Sequence, residues 1–218
     1  QLLLDFPLHI EAAYSIAKQT ILKRKPKVID KIVFAGLGGS GIGGDLVRGY
    51  LYNQINIPIV VIRDYGLPKF VDEKSLVFVC SYSGNTEETL SCYNEAKEKG
   101  AFVIAISSNG ILKNICKNDD IDFIKIPKGM PPRSAFGYLG VIPMGIMEKI
   151  SLISSFQSFL FSSSFSPEFL PRISKILFFL SSGNVKIASA IILFIFFFGL
   201  RFSISFSKFL TLFSNAII

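Results

Sequence analysis

The first 150 residues of this chain predict an α/β fold built on a parallel β-sheet. Two observations carry the prediction. Short, continuously apolar segments alternate with longer segments whose apolar residues recur at helical spacing, and turns rich in glycine or hydroxyl groups follow some of the apolar segments. Strands that are apolar on both faces are typical of parallel sheets covered by helices on both sides. Ligands of such sheets bind at the carboxyl ends of the strands.

Five strands and three helices are predicted in chain order. The strands are KIVFA (31–35), IPIVVI (57–62), LVFVC (76–80), AFVIAI (101–106) and IDFIKI (121–126). The helices are IEAAYSIAKQTI (10–21), DLVRGYLYNQ (45–54) and TEETLSCYNEAKEKG (86–100), the last of which Gly100 ends. The alternation of these elements places the turns that follow the strands at one edge of the sheet.

Composition divides the chain near residue 150. Residues 1–150 hold 33 of the 39 charged side chains and 15 of the 17 glycines, as an ordinary α/β domain does. Residues 151–218 hold 15 of the 22 phenylalanines and 16 serines, with only six charged residues. We therefore expect one domain with a leading helix over 1–150, followed by an aberrant hydrophobic Phe/Ser/Ile-rich segment over 151–218.

The charge and the cysteines narrow the expected partners and location. A net charge of +7 permits an anionic partner, but the single basic cluster, LKRKPK at 22–27, has no interleaved aromatic residues. A solvated helix end or loop is the favoured interpretation, and we expect no nucleic-acid partner. Cys80, Cys92 and Cys116 form no C-x-x-C pair, and no export signal is evident near residue 1. We expect free thiols and a cytoplasmic location.

The first motif is GLGGSGIGGDL, residues 36–46, directly after the first predicted strand. Its glycines at G-x-G-x-x-G spacing allow close backbone approach, and Ser40 offers a hydroxyl where a helix begins. The free N–H groups of a helix start favour an anion. The same spacing fits a dinucleotide-binding turn, in which case Asp64, at the end of the second strand, is the candidate for a ribose hydroxyl.

The second motif is SYSGNTEET, residues 81–89, which follows the third strand. Ser81, Ser83 and Thr86 supply three hydroxyls where the next helix begins. One of them is enough to cap that helix, and a cap alone is the alternative interpretation. Because three are present, we favour a site that holds a single phosphate over a pyrophosphate bound on one glycine turn.

The third motif is PKGMPPRSAFGYL, residues 127–139. Two prolines stiffen the approach to a further helix, which Ser134 is predicted to cap. Arg133 is then placed at the start of that helix, where its planar guanidinium suits a phosphate or an enediolate oxygen. A surface arginine beside a rigid turn is the alternative.

Taken together, the three motifs resemble the sugar isomerase (SIS) domain family, in particular its bifunctional phosphoglucose/phosphomannose isomerases. The resemblance covers roughly residues 30–150. It implies a flavodoxin-like three-layer sandwich with a five-stranded parallel sheet, two such domains per chain, and a homodimer. It also implies isomerisation of glucose 6-phosphate or mannose 6-phosphate to fructose 6-phosphate. The residues expected to hold the sugar phosphate are Gly39, Ser40, Ser81, Ser83 and Thr86, and Arg133 is expected to stabilise the intermediate and also to bind the substrate.

Aldose–ketose isomerisation also needs a base and a ring-opening group. In the resembling family these are a glutamate and a histidine in a Glu-Leu-Asn-His-Asn-Glu-like stretch of the second domain. The only histidine here is His9, interpreted as structural or surface, and the only glutamate after residue 150 is Glu168, which has no supporting motif. Neither role is assigned, so a non-catalytic sugar-phosphate-binding module is the alternative function. No His/Cys/Asp cluster has ligand spacing, and we expect no metal and no cofactor.

Residues 151–218 have three interpretations. The first is a membrane segment, since residues 187–200 are nearly all apolar. This stretch is shorter than the roughly 20 residues that cross a bilayer, so a membrane segment is not favoured. The second interpretation is a buried helix or strand pair of a degenerate domain. The favoured hypothesis is a truncated or frame-shifted second domain, because excess Phe, Ser, Ile and Leu with few acidic residues is typical of A/T-rich DNA translated in a wrong frame.

Overall fold

The computed structural model describes residues 6–26 and 28–154 of the chain. The strands are β1 (Lys31–Ala35), β2 (Ile59–Ile62), β3 (Ser75–Cys80), β4 (Phe102–Ser107) and β5 (Asp122–Lys125). The helices are α1 (Phe6–Gln19), α2 (Gly39–Leu51), α3 (Glu87–Glu98), α4 (Ile111–Asn118) and α5 (Phe136–Lys149), and a 3₁₀ turn, η1, spans Pro132–Ala135. The predicted α/β class is confirmed.

The five strands form one parallel sheet in the order β2-β1-β3-β4-β5. Val33 of β1 lies between Val60 of β2 and Val77 of β3, which fixes the register in the middle of the sheet. The chain runs outward in one direction from β1 to β2 and in the other from β3 to β5. A strand order of this kind opens a crevice at the carboxyl ends of β1 and β3, where ligands of doubly wound sheets bind.

Side chains of alternate strand residues face opposite helical layers. On one face, Val33, Val77 and Val103 pack in a buried cluster that includes Tyr93 of α3 and Leu112 of α4. On the other face, the rings of Phe34 and Phe78 lie 5.0 Å apart. A Cβ on Gly44 of α2 would come within 2.7 Å of Phe34 Cβ, so α2 lies directly on this face. The result is a three-layer sandwich, as predicted.

Helix α2 packs closely on α5. A Cβ on Gly43 would lie 2.6 Å from the Leu139 carbonyl oxygen, which leaves no room for any larger residue. Helix α1 covers α5 from outside, where the Tyr14 hydroxyl donates to Glu148 at 3.0 Å and Lys18 pairs with the same carboxylate. These contacts fix the start of α2 against the residues that precede α5.

The predicted strand bounds are within two residues of those observed, but the helices differ more. Helix α2 begins at Gly39 rather than at residue 45, because the glycines are themselves the first turns of the helix. Helix α4 was missed, since its eight residues are too few for a clear periodic signal. Gly100 ends α3 as predicted, with a φ of +70°.

The three cysteines are free and buried, in agreement with the expectation of free thiols. Burial raises the pKa of Cys80 to about 12 and the pKa of Cys92 and of Cys116 to about 11. Over residues 6–26 and 28–154, no helix has the length and apolar character needed to cross a membrane. The membrane, degenerate-domain and frame-shift interpretations concern residues beyond 154, which lie outside the described residues.

Candidate functional site

The turns that follow β1 and β3 lie side by side at the crevice of the sheet. We call residues 36–41 the glycine turn and residues 81–86 the hydroxyl turn. The Gly36 amide donates to the Ile62 carbonyl oxygen at 3.0 Å, and a Cβ on Gly36 would lie 2.7 Å from the Cys80 carbonyl oxygen. The absence of a side chain at Gly36 therefore allows the two turns to approach each other.

The glycine turn presents an uncapped helix start. Gly38 is the N-cap of α2 with a φ of 50°, and no side chain caps the helix. The first N–H groups of an α-helix have no partner within the helix and carry partial positive charge. A Cβ on Gly39 would lie 3.0 Å from the Pro132 carbonyl oxygen and 3.2 Å from Arg133 Cα. Glycine at this position thus brings the third motif against the first.

Ser40 is buried beside the hydroxyl turn. Its Oγ accepts a hydrogen bond from the Tyr82 amide at 3.2 Å. An amide donor occupies a lone pair of a hydroxyl and leaves its proton available. The Ser40 hydroxyl can therefore donate its proton to an anion.

The hydroxyl turn repeats this arrangement. The Gly84 amide donates to Ser81 Oγ at 3.0 Å, and the Asn85 amide donates to Ser83 Oγ at 3.2 Å. Ser81 Oγ lies 2.9 Å from Thr86 Oγ1 and 3.5 Å from Ser83 Oγ. In a pair of hydrogen-bonded hydroxyls only one proton lies between the oxygens, so the other stays free to donate. The structure thus brings the predicted hydroxyls of this turn together.

The hydroxyls are not helix caps. Thr86 is the N-cap residue of α3, but its side chain makes no capping hydrogen bond. Ser134 lies inside η1, and α5 begins after Ala135 without a side-chain cap, so the predicted Ser134 cap is wrong. Here a 3₁₀ turn, in which the Ser134 amide donates to the Pro131 carbonyl oxygen at 2.8 Å, takes the place of the cap.

Sequence reasoning missed the residues that support the hydroxyl turn. Asn85 Oδ1 accepts from the Ile111 amide at 2.9 Å, and the Gly84 carbonyl oxygen accepts from the Leu112 amide at 2.9 Å. Gly84 has a φ of +73°, and a Cβ on it would lie 1.7 Å from the Asn109 carbonyl oxygen. The start of α4 therefore holds the hydroxyl turn from behind. The sequence signal for this support is Asn85 itself. It follows a glycine at a helix start, and its side-chain oxygen can accept a hydrogen bond from a backbone amide.

Arg133 lies in η1 next to the glycine turn. Its side chain is exposed, and within the described residues it has no hydrogen-bond or ion-pair partner. The guanidinium is thus available to an external anion, in contrast to Arg63, whose guanidinium pairs with the buried carboxylate of Asp45. Arg48 pairs with the same carboxylate at 3.1 Å.

Helix starts and acidic side chains both contribute to the local charge at the crevice. Helices α2 and α3 both begin here, and each N-terminus contributes partial positive charge. Glu87 and Glu88 occupy the first turn of α3, and the Tyr65 hydroxyl donates to the Glu87 carboxylate at 3.2 Å. Proximity to Glu88 is the main cause that raises the pKa of Tyr65, followed by burial and the bond to Glu87. The arrangement suits a small anion contacted by N–H and O–H donors.

Within the described residues, His9 and Asp64 make no hydrogen bond to the glycine turn or the hydroxyl turn. The His9 ring lies 5.5 Å from the Tyr138 ring, and its Nδ1 is buried without a partner in the described part of the chain. Asp64 accepts from the Tyr65 amide at 2.8 Å in an exposed turn after β2. No group of three or more potential metal ligands occurs among residues 6–26 and 28–154.

A doubly wound five-stranded sheet with paired glycine and hydroxyl turns at its crevice defines an α/β domain with a candidate anion site. The model of the SIS domain matches residues 28–132, so this segment of the chain is similar to the SIS domain family. The family resemblance read from the three motifs is thereby confirmed.

Curated relatives agree with this assignment. The chain is 48% identical over 149 residues to a bifunctional phosphoglucose/phosphomannose isomerase of Caldicellulosiruptor bescii, covering 68% of this chain and 44% of the relative. It is 46% identical over 109 residues to a protein of the same name from Aquifex aeolicus, covering 50% of this chain and 34% of that relative. A D-glucosamine-6-phosphate 4-epimerase of Sulfolobus acidocaldarius is 35% identical over 116 residues, covering 52% and 36%. The chain spans less than half the length of these relatives.

Solved structures share the fold. A protein of Clostridium difficile described as a phosphosugar isomerase superposes with a TM-score of 0.56 at 20% identity, over 79% of this chain and 50% of that one. A protein of Silicibacter pomeroyi with the same description gives a TM-score of 0.54 at 14% identity, over 73% and 52%. At these identities the similarity concerns the fold alone.

Proposed function

We propose that the glycine and hydroxyl turns bind the phosphate group of a hexose 6-phosphate. The residues proposed to contact it are Gly39, Ser40, Ser81, Ser83 and Thr86. The observation that carries the proposal is the use of backbone amides as donors to the hydroxyls of Ser40, Ser81 and Ser83. The hydroxyl protons that do not lie between Ser81, Ser83 and Thr86 can be donated to an acceptor, and a phosphate offers oxygens that accept from several directions.

The names of the relatives support a phosphorylated sugar as the ligand. The phosphoglucose/phosphomannose isomerases and the glucosamine-6-phosphate epimerase differ in the reaction that their names state, while each name includes a phosphosugar. The segment that the family model matches, residues 28–132, ends immediately before Arg133. We infer that this segment supplies phosphate binding, which orients the sugar but transfers no proton.

The proposed reaction of the intact protein is interconversion of glucose 6-phosphate or mannose 6-phosphate with fructose 6-phosphate through an enediolate. Arg133 is the proposed catalytic residue among the described residues, because an unpaired guanidinium at the crevice can stabilise the negative charge of the enediolate. We assign neither the base nor the ring-opening group to residues 6–154. The homodimer, the cytoplasmic location and the absence of a nucleic-acid partner belong to the same proposal.

Binding and turnover separate the proposed enzyme from a binding module. Calorimetric titration of the full 218-residue chain with fructose 6-phosphate and with fructose is expected to give binding only of the phosphate ester. Ser81→Ala is expected to weaken that binding. Ser15→Ala, in α1 and bonded through its side chain to Gln19 alone among the described residues, is expected to leave it unchanged. Equal binding of fructose and fructose 6-phosphate would contradict the proposal. A coupled isomerase assay then decides the function: turnover supports the isomerase, and binding without turnover supports the non-catalytic module.

We further propose that residues 151–218 are a truncated or frame-shifted second domain. Their excess of phenylalanine and serine with few charges supports this. Translation of the coding DNA in all three frames downstream of codon 150 tests it. Another frame that encodes a Glu-Leu-Asn-His-Asn-Glu-like stretch is the expected result, and its absence from every frame would contradict the hypothesis.

A further inference from the structure

Tyr82 contacts all three motifs of the candidate site. Its amide donates to Ser40 Oγ at 3.2 Å, in the glycine turn. Its carbonyl oxygen accepts from the Ser108 amide at 3.1 Å and from Ser108 Oγ at 2.7 Å. Its phenolic oxygen accepts from the Met130 amide at 3.1 Å, in the third motif. The backbone of Tyr82 is thus fixed within the hydroxyl turn, while its side chain reaches the segment that precedes Arg133.

The hydrogen bond to Met130 is the tether of that segment. Prolines have no N–H group, so in Met130-Pro131-Pro132 the Met130 amide is the only backbone donor. Within the described residues it makes the only hydrogen bond from residues 127–132 to another part of the fold. Gly129, with a φ of +87°, turns the chain immediately before it. Further along the segment, Pro132 and Arg133 pack on Gly39 at the start of α2.

The position of Arg133 therefore depends on its backbone. Its exposed side chain has no polar partner in the described part of the chain, so no side-chain bond orients the guanidinium. We propose that Tyr82 is a positioning residue, whose phenolic oxygen holds the Arg133-bearing segment over the glycine and hydroxyl turns. The role of Arg133 in this proposal rests on the proposed function.

In this proposal one rigid side chain sets the separation between the hydroxyl turn and the backbone that carries Arg133. The tyrosine ring has only two rotatable bonds, and its backbone is anchored at both the amide and the carbonyl oxygen. Loss of the phenolic oxygen would leave the phosphate-binding hydroxyls in place and release the Arg133 segment. A role in local stability alone would not distinguish ligands that reach Arg133 from ligands that do not.

The test compares Tyr82→Phe with the wild-type full chain and two probes. Inorganic phosphate reports on the two turns, and arabinonate 5-phosphate adds a planar carboxylate that resembles the enediolate and would reach Arg133. Tyr82→Phe is expected to weaken aldonate binding about fivefold, the effect of one hydrogen bond, and phosphate binding by less than about twofold. In an Arg133→Gln background it is expected to have no further effect on the aldonate.

Tyr93→Phe is the matched control, because its hydroxyl donates to Asp119 at 2.8 Å, away from the three motifs. It is expected to leave the ratio of aldonate to phosphate affinity unchanged. Additive effects of Tyr82→Phe and Arg133→Gln, or an equal loss for both probes, would overturn the proposal.

Hydrogen exchange of the unliganded chain separates this inference from the proposed function. Tyr82→Phe is expected to speed exchange of the Met130 amide at least fivefold, since that amide loses its acceptor. Unchanged exchange would show that Tyr82 does not hold the segment and would overturn the inference, whatever the chain binds. If the wild-type chain binds neither probe, the proposed function fails, and the exchange rate still decides whether Tyr82 is the tether.

Discussion

The glycine turn and the hydroxyl turn expose helix starts by different means. The glycine turn depends on missing side chains: Gly36 and Gly39 allow contact with the Cys80 and Pro132 carbonyl oxygens. The hydroxyl turn depends on side chains that are present, since Ser81 and Ser83 accept the amides of the turn itself. Both α2 and α3 begin without a side-chain cap. The first turn is therefore sensitive to added volume and the second to the loss of oxygen atoms.

This difference explains how the two turns complement each other. Backbone N–H groups point along a helix axis and their direction cannot be adjusted, whereas a hydroxyl rotates to suit its acceptor. A site that combines both has fixed and adaptable donors around one position. Substitutions in each turn test this difference between the glycine turn and the hydroxyl turn directly.

The largest effect is expected at the glycine of the hydroxyl turn. Gly84→Ala would place a Cβ 1.7 Å from the Asn109 carbonyl oxygen at a φ of +73°. Strain and overpacking together are expected to lower the free energy of unfolding by about 3 kcal/mol or more. Urea unfolding of the two proteins measures the difference.

Gly129→Ala is the control for that substitution. Its φ of +87° is equally unfavourable for alanine, but nothing lies within 4 Å of the added Cβ. It is expected to be clearly less destabilising than Gly84→Ala. Equal losses would mean that backbone conformation alone, and not the contact with Asn109, makes glycine necessary in the hydroxyl turn.

Gly38→Ala tests the glycine turn in the same way. Gly38 has a φ of 50° and a ψ of −123°, and no atom lies within 4 Å of an added Cβ. Conformational strain without a clash is expected to cost about 2 kcal/mol of unfolding free energy. Because the strain falls at the start of α2, phosphate affinity measured by titration should also decrease. A stability loss with unchanged affinity would contradict the placement of this turn in the site.

The sequence predicted the central strands well because they are buried on both sides. All residues of β3 and β4 are buried, and continuous apolar runs are the signal for such strands. The hydroxyls that line the site were also predictable, because both turns directly follow strands. Helix α4 was not, since only Leu112 and Cys116 of its eight residues are fully buried.

The contacts that organise the candidate site could not be predicted from the sequence. Asn85 meets Ile111 across 26 positions, and Tyr82 meets Met130 across 48. Tyr82 stands between the hydroxyl residues of the motif and has no sequence signal of its own, while the residue type of Asn85 indicates a capping role but not its partner. Their roles follow from the order of strands β3, β4 and β5 in the sheet, which brings the three loops together.

Ser81→Ala and Ser83→Ala separate two functions of the hydroxyl turn. Ser81 is buried and its Oγ contacts both Thr86 Oγ1 and the Gly84 amide, so its loss is expected to cost about 1.5 kcal/mol in unfolding and in phosphate binding. Ser83 is exposed, and its loss is expected to reduce binding with little effect on unfolding. Urea unfolding and phosphate titration of each variant measure both quantities. Identical profiles for the two variants would refute the distinction.

The smallest effect concerns Cys80, whose carbonyl oxygen lies where the two turns meet. Burial raises the pKa of its thiol to about 12 in the folded chain, against 9.0 for an ordinary thiol. Between these values the unfolded chain has lost the proton and the folded chain retains it, so stability is complete below about pH 9 and falls as the pH rises. From pH 9 to pH 10 the contribution of Cys80 is a loss on the order of 1 kcal/mol.

Cys80→Ala is expected to flatten this alkaline decline without abolishing it. The buried thiols of Cys92 and Cys116, whose pKa is about 11 in each case, act in the same direction in both proteins. Each protein is compared with itself at pH 8 and pH 10 by urea unfolding, so the packing cost of the substitution cancels. If the two declines are equal, solvent reaches Cys80 before global unfolding, and the junction of the two turns opens more readily than its packing indicates.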